Sequence, residues 1–177
     1  VRTGSPIQIR PVGIETERDM LEEYVDYLLS LVNLDSIRPL KIVVDAGNGM
    51  AGHTAPAIFS RLNCELIPLY FELDGNFPNH EANPINPANL RDLQRAVKRH
   101  KADLGLAFDG DADRCFLVDE NGAAVNPSDL TSLIAQRELA KHPGATIIYN
   151  LISSRAVLET IKENGGVGLR SRVGHSY

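Results

Sequence analysis

Apolar residues recur at helical spacing early in the chain: Met20, Leu21, Tyr24, Val25, Leu28 and Leu31 fall three or four apart. With Thr16 as N-cap and Asp19 in the first turn, the spacing predicts an amphipathic helix to about Val32. The pattern then changes. Lys41-Ile42-Val43-Val44-Asp45-Ala46 is apolar without alternation, as in a strand buried on both faces. A helix follows with Ala55, Ile58, Phe59 and Leu62 on one side, then a strand at Glu65–Tyr70. Pro68 within that strand predicts a strand end or a sheet edge. Residues 71–88 read as a long loop with Asn-Pro steps at 83–84 and 86–87, which force turns. Loops of this length in a compact domain are functional or held down by packing.

The second half repeats the alternation. Asn89 to His100 predicts a helix with Leu90, Leu93, Ala96 and Val97 inward and Arg91, Arg95, Lys98 and Arg99 in water. Ala102–Phe108 and Cys115–Val118 read as short strands flanking residues 109–114. Asp119-Glu120-Asn121-Gly122 is a hairpin turn by composition, with Ala123–Val125 pairing back. Asn126-Pro127-Ser128-Asp129 starts a helix, with Ser128 read as its cap, that runs to about Ala140. A strand at Thr146–Tyr149, a helix opened by Ser153 or Ser154 and a strand at Val167–Arg170 complete the order. Strands and helices alternate throughout, which is the α/β class, and the final αβαβ portion reads as the opening of a second similar unit. Residues 1–15 carry Gly and Pro with little periodicity and read as a linker or extended arm.

Composition narrows the partners. The 177 residues carry a net charge of −5, with 43% hydrophobic and 23% charged residues, ordinary for a globular protein. Nucleic acid and anionic membranes both demand basic surface, so neither is expected as a partner. No apolar run approaches the length of a membrane span, and no signal peptide is visible. Cys64 and Cys115 are isolated, which suits a reducing cytoplasm and inert core positions. The first residue is Val1 and the last Tyr177, and neither end reads as a natural terminus, so a longer parent protein is expected.

The chemistry concentrates in Asp109-Gly110-Asp111-Ala112-Asp113-Arg114. Carboxylates this close repel one another unless a cation sits among them, and oxygen donors suit hard ions such as magnesium or calcium. Gly110 and Ala112 let the backbone wrap tightly, and Arg114 offers a planar fork of donors suited to a phosphate beside the metal. The EF-hand is a rival for this stretch. Its sixth position should be Gly but is Arg114, and the flanks are strand-like rather than helical. A second rival is a Rossmann site: Gly47-Asn48-Gly49-Met50-Ala51-Gly52 fits Gly-x-Gly-x-x-Gly between a strand and a helix, with Glu72 twenty residues beyond the last glycine, and a third is a non-catalytic divalent-metal-binding or interaction module. His80 has no partner at ligand spacing and reads as a loop hydrogen-bonder rather than a metal ligand.

Several segments together resemble the α-D-phosphohexomutase family, in its phosphomannomutase/phosphoglucomutase branch. They are Val44–Gly52, Phe77-Pro78-Asn79-His80-Glu81-Ala82-Asn83-Pro84, Ala107–Arg114, Ser153-Ser154-Arg155 and Arg170–Ser176, in family order over nearly the whole chain. The resemblance implies three-layer α/β/α domains with mixed sheets. Residues 1–37 would be an arm and linker helix from a preceding domain, 38–124 the second domain and 125–177 the incomplete start of the third. It implies that Asp109, Asp111 and Asp113 bind magnesium beside a phosphoserine from the first domain, that Arg114 contacts phosphate, and that Arg172 and His175 lie near the sugar phosphate. The reaction implied interconverts hexose 6-phosphate and hexose 1-phosphate, mannose preferred, through a bisphosphate intermediate. A sugar phosphate and the remaining domains of the same enzyme are then the partners. The family's Thr-x-Ser-His-Asn-Pro and Gly-Glu-x-Ser segments do not occur in these residues. The chain alone is therefore expected to be inactive and to hold magnesium weakly.

Overall fold

The computed structural model describes residues 13–34 and 37–174. Two units are distinguished, Val1–Asn33 and Leu34–Tyr177.

In the first unit, helix α1 spans Leu21–Ser30. It begins later than the sequence pattern predicts: Thr16 is not its cap, and Asp19 instead accepts the Leu21 N–H at 3.0 Å. Only part of its apolar stripe is buried; Val25 is fully so, whereas Met20, Tyr24 and Leu31 are exposed.

In the second unit the elements follow the expected order: β1 (Leu40–Asp45), α2 (Ala51–Phe59), β2 (Cys64–Leu69), α3 (Arg91–His100), β3 (Leu104–Phe108), β4 (Cys115–Asp119), α4 (Pro127–Lys141), β5 (Thr146–Asn150), α5 (Arg155–Glu163) and β6 (Val167–Ser171). A short 3-10 turn at Pro87–Leu90 leads into α3. The four-stranded sheet has the order β2-β1-β3-β4. Its first three strands are parallel, with Val44 opposite Pro68 on one side and Leu106 on the other, and β4 runs antiparallel to β3. Pro68 thus sits on an edge strand, as its missing N–H requires.

Alternation along β1 builds the layers. Ile42 and Val44 face α2, in a cluster with Ala55, Phe59, Leu66, Leu106 and Phe108. Val43 faces the other way, in a cluster with Leu93, Ala96, Val97, Ala107 and Val118. Both faces of β1 are covered, which explains its unbroken apolar run and gives the predicted three-layer mixed α/β arrangement. Gly105 lets α3 approach closely: a Cβ there would lie 2.7 Å from Val97 and 2.9 Å from Leu93. All four predicted inward residues of the third helix are buried.

The second sheet pairs β5 and β6 in parallel, with α4 and α5 on one face. Ala135, Leu139, Val157 and Ile161 form the core there, packed on Ile147 and Tyr149. The opposite face carries Ile148 and Leu169, paired across the strands and both exposed. Helix α4 is capped by Asn126, which accepts the Ser128 N–H, and Pro127 occupies the first turn. Ser128 is therefore not the cap; its hydroxyl accepts the Ser154 N–H instead. Ser154 in turn caps α5. Cys64 is half-buried and packs against the cluster between β1 and α2, whereas Cys115 is exposed and not a core residue. No helix among the described residues is long and apolar enough to cross a membrane.

Candidate metal and phosphate site

Three parallel strands end side by side, and the segments that leave their carboxyl ends converge. These are residues 46–50 after β1, 70–86 after β2 and 109–114 after β3. The carboxyl edge is where ligands bind in open α/β sheets.

The loop 109–114 is a tight connection between β3 and β4. Ala112 takes a left-handed backbone (φ 64°) and donates its N–H to the Asp109 carbonyl at 3.2 Å. Asp109 is 1% exposed, whereas Asp111 and Asp113 are open to solvent. Each of the three offers one carboxylate oxygen within 4.8 Å of the others. One hard cation can therefore bridge them, and the donor set is all oxygen. Arg114 folds back on the cluster: its backbone N–H and Nε donate to Asp109 at 3.1 and 2.6 Å, and Nε lies 3.5 Å from Asp113. Burial by itself would raise the Asp109 pKa, but the backbone and guanidinium of Arg114 outweigh it and hold the carboxyl below its usual range. Asp109 thus stays ionised, as a metal ligand must. The EF-hand rival fails because both flanks are paired antiparallel strands.

The glycine-rich turn serves this loop. Met50 donates to the Gly110 carbonyl at 2.9 Å, and a Cβ on Gly49 would lie 2.6 Å from that same oxygen. A Cβ on Gly52 would lie 2.2 Å from the Phe71 carbonyl oxygen. The space that a Rossmann turn leaves for a pyrophosphate is filled here by the chain's own backbone, so these glycines permit close approach of loops. Glu72, the expected ribose contact, uses its carbonyl to accept from Asn48 at 2.8 Å.

The 70–86 segment packs over both neighbours. Asn79 donates to Asn48 at 2.8 Å, and Phe77 and Ala82 border Gly110, where a Cβ would lie 3.5 and 3.9 Å from them. His80 lies 3.0 Å from the buried Asp45 at the end of β1. Four residues other than glycine with positive φ, namely Asn48, Tyr70, Phe77 and Ala112, fall in these three segments. Such backbones persist where the surroundings determine them, and they concentrate at functional sites. The Asp45–His80 pair was not legible in the sequence, because its members stand 35 positions apart and share no motif.

Arg172 lies just beyond β6 at the carboxyl end of the second sheet, and His175 falls outside the described residues. The phosphate-contact reading thus has Arg114 at the carboxylate cluster and Arg172 just past the end of a strand of the other sheet.

Comparison with known proteins bears on this geometry. The family described as "Phosphoglucomutase/phosphomannomutase, alpha/beta/alpha domain II" matches residues 22–122. A Pseudomonas putida protein named phosphomannomutase/phosphoglucomutase is 45% identical over 158 residues, 89% of this chain and 34% of its own length. A Neisseria gonorrhoeae phosphoglucomutase is 42% identical over 93% of this chain and 35% of its own. The crystal structure of a phosphoglucomutase/phosphomannomutase family protein from Burkholderia thailandensis superposes with a TM-score of 0.84 at 42% identity, over 89% of this chain and 34% of that one. The chain spans about a third of the length of the curated relatives it matches.

Proposed function

The chain belongs to the phosphoglucomutase/phosphomannomutase family, and from that premise we propose that it is the magnesium-binding part of a hexose-phosphate mutase. Residues 38–124 are the second α/β/α domain of that enzyme, 1–37 the arm and linker helix leading to it, and 125–177 the beginning of the third. The parent protein interconverts hexose 6-phosphate and hexose 1-phosphate, with mannose preferred over glucose, in the cytoplasm. Its nucleophile is a phosphoserine on another domain.

One observation carries the reading: three carboxylate oxygens within 4.8 Å of one another at the carboxyl edge of a parallel sheet. Asp109, Asp111 and Asp113 fit a divalent cation by donor type and by charge. These three carboxylates would hold magnesium, which would supply neutralisation of the charge on a phosphoryl group in transfer. Asp109, buried and kept ionised, fixes one ligand on the protein side. Asp111 and Asp113 project to the open side, where a phosphorylated ligand can reach the same ion. Arg114 is braced by Asp109, yet its side chain is 51% exposed. A guanidinium carries five N–H donors, so this bracing leaves donors for phosphate oxygens. Arg172 and His175 are assigned to the sugar-phosphate end of the substrate.

The test is a Mn2+ titration of the 177-residue chain followed by electron paramagnetic resonance, for wild type and Asp111→Asn. Saturable binding that weakens at least about tenfold in the variant is expected for loss of one of three charged ligands. Binding unchanged by Asp111→Asn overturns the site. In a coupled assay with mannose 6-phosphate and glucose 6-phosphate, this chain alone is expected to show no turnover. Turnover would refute the assignment of the nucleophile to another domain.

A further inference from the structure

We propose that His80 is a positioning residue for the metal loop: it clamps the 70–86 segment onto the end of β1 and so holds the Asp109–Asp113 cluster in shape without touching it. The proposal rests on the reading of that cluster as a cation site.

The ring of His80 is committed at both nitrogens. Nδ1 lies 2.9 Å from the Glu81 carbonyl oxygen, which can only accept, so Nδ1 carries a hydrogen. Nε2 lies 3.0 Å from Asp45 Oδ2, and the other Asp45 oxygen accepts the Gly47 N–H at 2.9 Å. With Nδ1 as donor, the Nε2 contact is favourable only when a proton lies between ring and carboxylate. The pair is enclosed: the Asp45 side chain is 1% exposed and that of His80 15%. The Tyr70 ring meets His80 edge-on at 5.4 Å, and the Tyr70 hydroxyl donates to Asp92, which also pairs with Arg95. Burial lowers the His80 pKa, but the Glu81 carbonyl and the Asp45 and Asp92 carboxylates more than reverse this, so the ring stays cationic to higher pH than usual.

The clamp reaches the loop through contacts already described. His80 and Ala82 border Gly47, where a Cβ would lie 3.4 and 3.3 Å from them, and Phe77 and Ala82 border Gly110, where a Cβ would lie 3.5 and 3.9 Å from them. Gly110 is also held from the other side by the Met50 N–H. With the His80 bridge gone, Asn79–Asn48 is the side-chain hydrogen bond left between the 77–84 stretch and the β1–α2 turn among the described residues. Tyr70, Glu72 and Asp74 stay bonded to Asn48, so the loosening falls on the 77–84 stretch, which carries Phe77 and Ala82. Partners that orient ligands from outside typically change metal affinity by about ten- to hundredfold.

The experiment uses the whole 177-residue chain as wild type, His80→Leu and His80→Gln. Hydrogen exchange at the Met50 and Ala112 amides is followed without metal, and Mn2+ affinity is measured from pH 6 to 9. His80→Leu is expected to speed both amides roughly tenfold and to weaken Mn2+ roughly tenfold, with β5 and β6 amides unchanged as a control for folding. His80→Gln can donate to Asp45 and recovers part of each loss. Because the His80 pKa is raised, its contribution is complete below about pH 6.5. It fades as pH climbs through the raised value. Wild-type affinity should therefore decline over that range relative to His80→Gln, whose affinity stays level. Amide exchange and Mn2+ affinity within twofold of wild type in His80→Leu would overturn the proposal. Absence of Mn2+ binding in wild type would instead defeat the cation reading, and exchange at Met50 and Ala112 would then decide the clamp alone.

Discussion

Replacing Gly49 with alanine tests how tightly the glycine turn seats the acidic loop. A Cβ at this position would stand 2.6, 2.9 and 3.0 Å from the carbonyl oxygen, Cα and carbonyl carbon of Gly110. All three are backbone atoms, so no side chain can rotate away. The turn and the loop must separate, and the adjacent Met50 N–H to Gly110 bond of 2.9 Å lengthens or breaks. Losing that bond costs about 1 kcal/mol, and forcing an extra methyl into a packed contact costs about 1–3 kcal/mol. Alanine returns about 0.4–1 kcal/mol by restricting the unfolded chain. The net is a destabilisation of roughly 1–3.5 kcal/mol, or about 2–14 °C in Tm for a chain of this size. Gly75 is the control, because a Cβ there meets nothing within 4 Å and its φ is not positive. Gly75→Ala should fall within about 0.5 kcal/mol of wild type. Urea denaturation of both variants, followed by circular dichroism, reads the difference. Unfolding free energies for Gly49→Ala and Gly75→Ala that agree within about 0.5 kcal/mol would refute the claim that the turn is fitted to the loop.

Other outcomes follow from the same contacts. Tyr70 donates to Asp92 at 2.6 Å, and this bond with burial pushes its pKa up to about 12. A raised value means that the bond stabilises the fold below about pH 10 and is lost between there and 12. Ultraviolet titration should show a late-ionising tyrosine that disappears in Tyr70→Phe, at a stability cost of about 1–2 kcal/mol. Asp109 has the opposite sign: its depressed pKa contributes stability above the ordinary carboxyl range, lost as pH falls through the folded value. Asp109→Asn should therefore flatten the acid limb of a pH–stability curve. In the core, Leu93→Ala is expected to cost about 2–5 kcal/mol by chemical denaturation, because the side chain is fully enclosed. Ile148→Ala, at a side chain left 66% exposed, should cost less than about 1 kcal/mol.

What could be read from the sequence followed from burial that is regular. Strand β1 announces itself because both its faces are covered, so no polar residue interrupts Ile42, Val43 and Val44. Helix α3 does so because one face is all charge and the other is enclosed. Ends are harder, since more than one polar residue stands ready at each. Asn126 caps α4 in place of Ser128 because Pro127 suits the first turn, while the Ser128 hydroxyl is taken by Ser154, 26 residues away. The glycines at 47–52 satisfied a dinucleotide pattern, yet what fills the space beside Gly49 and Gly52 is Gly110 and Phe71. Neither neighbour is visible to a local pattern. The acidic loop was legible for the converse reason: its three carboxylates are close in sequence, and their spacing alone limits how far apart they can lie.

The way the sheet is wired explains why the three carboxylates of that loop stay together at the sheet's edge. Two parallel neighbours need a long crossover, and β1 and β2 use α2 for theirs. An antiparallel neighbour needs only a turn, and β4 supplies one after β3. Residues 109–114 therefore stay at the carboxyl edge instead of leading away into a helix. Because Asp109 directly follows β3, its carboxylate is fixed against the sheet and shielded. The left-handed backbone at Ala112 then reverses the chain and leaves Asp111 and Asp113 facing solvent. With one buried and two exposed carboxylates, the cluster is open on one side only. That open side faces solvent, and the closed side rests on a turn and a segment that the Asp45–His80 pair ties together.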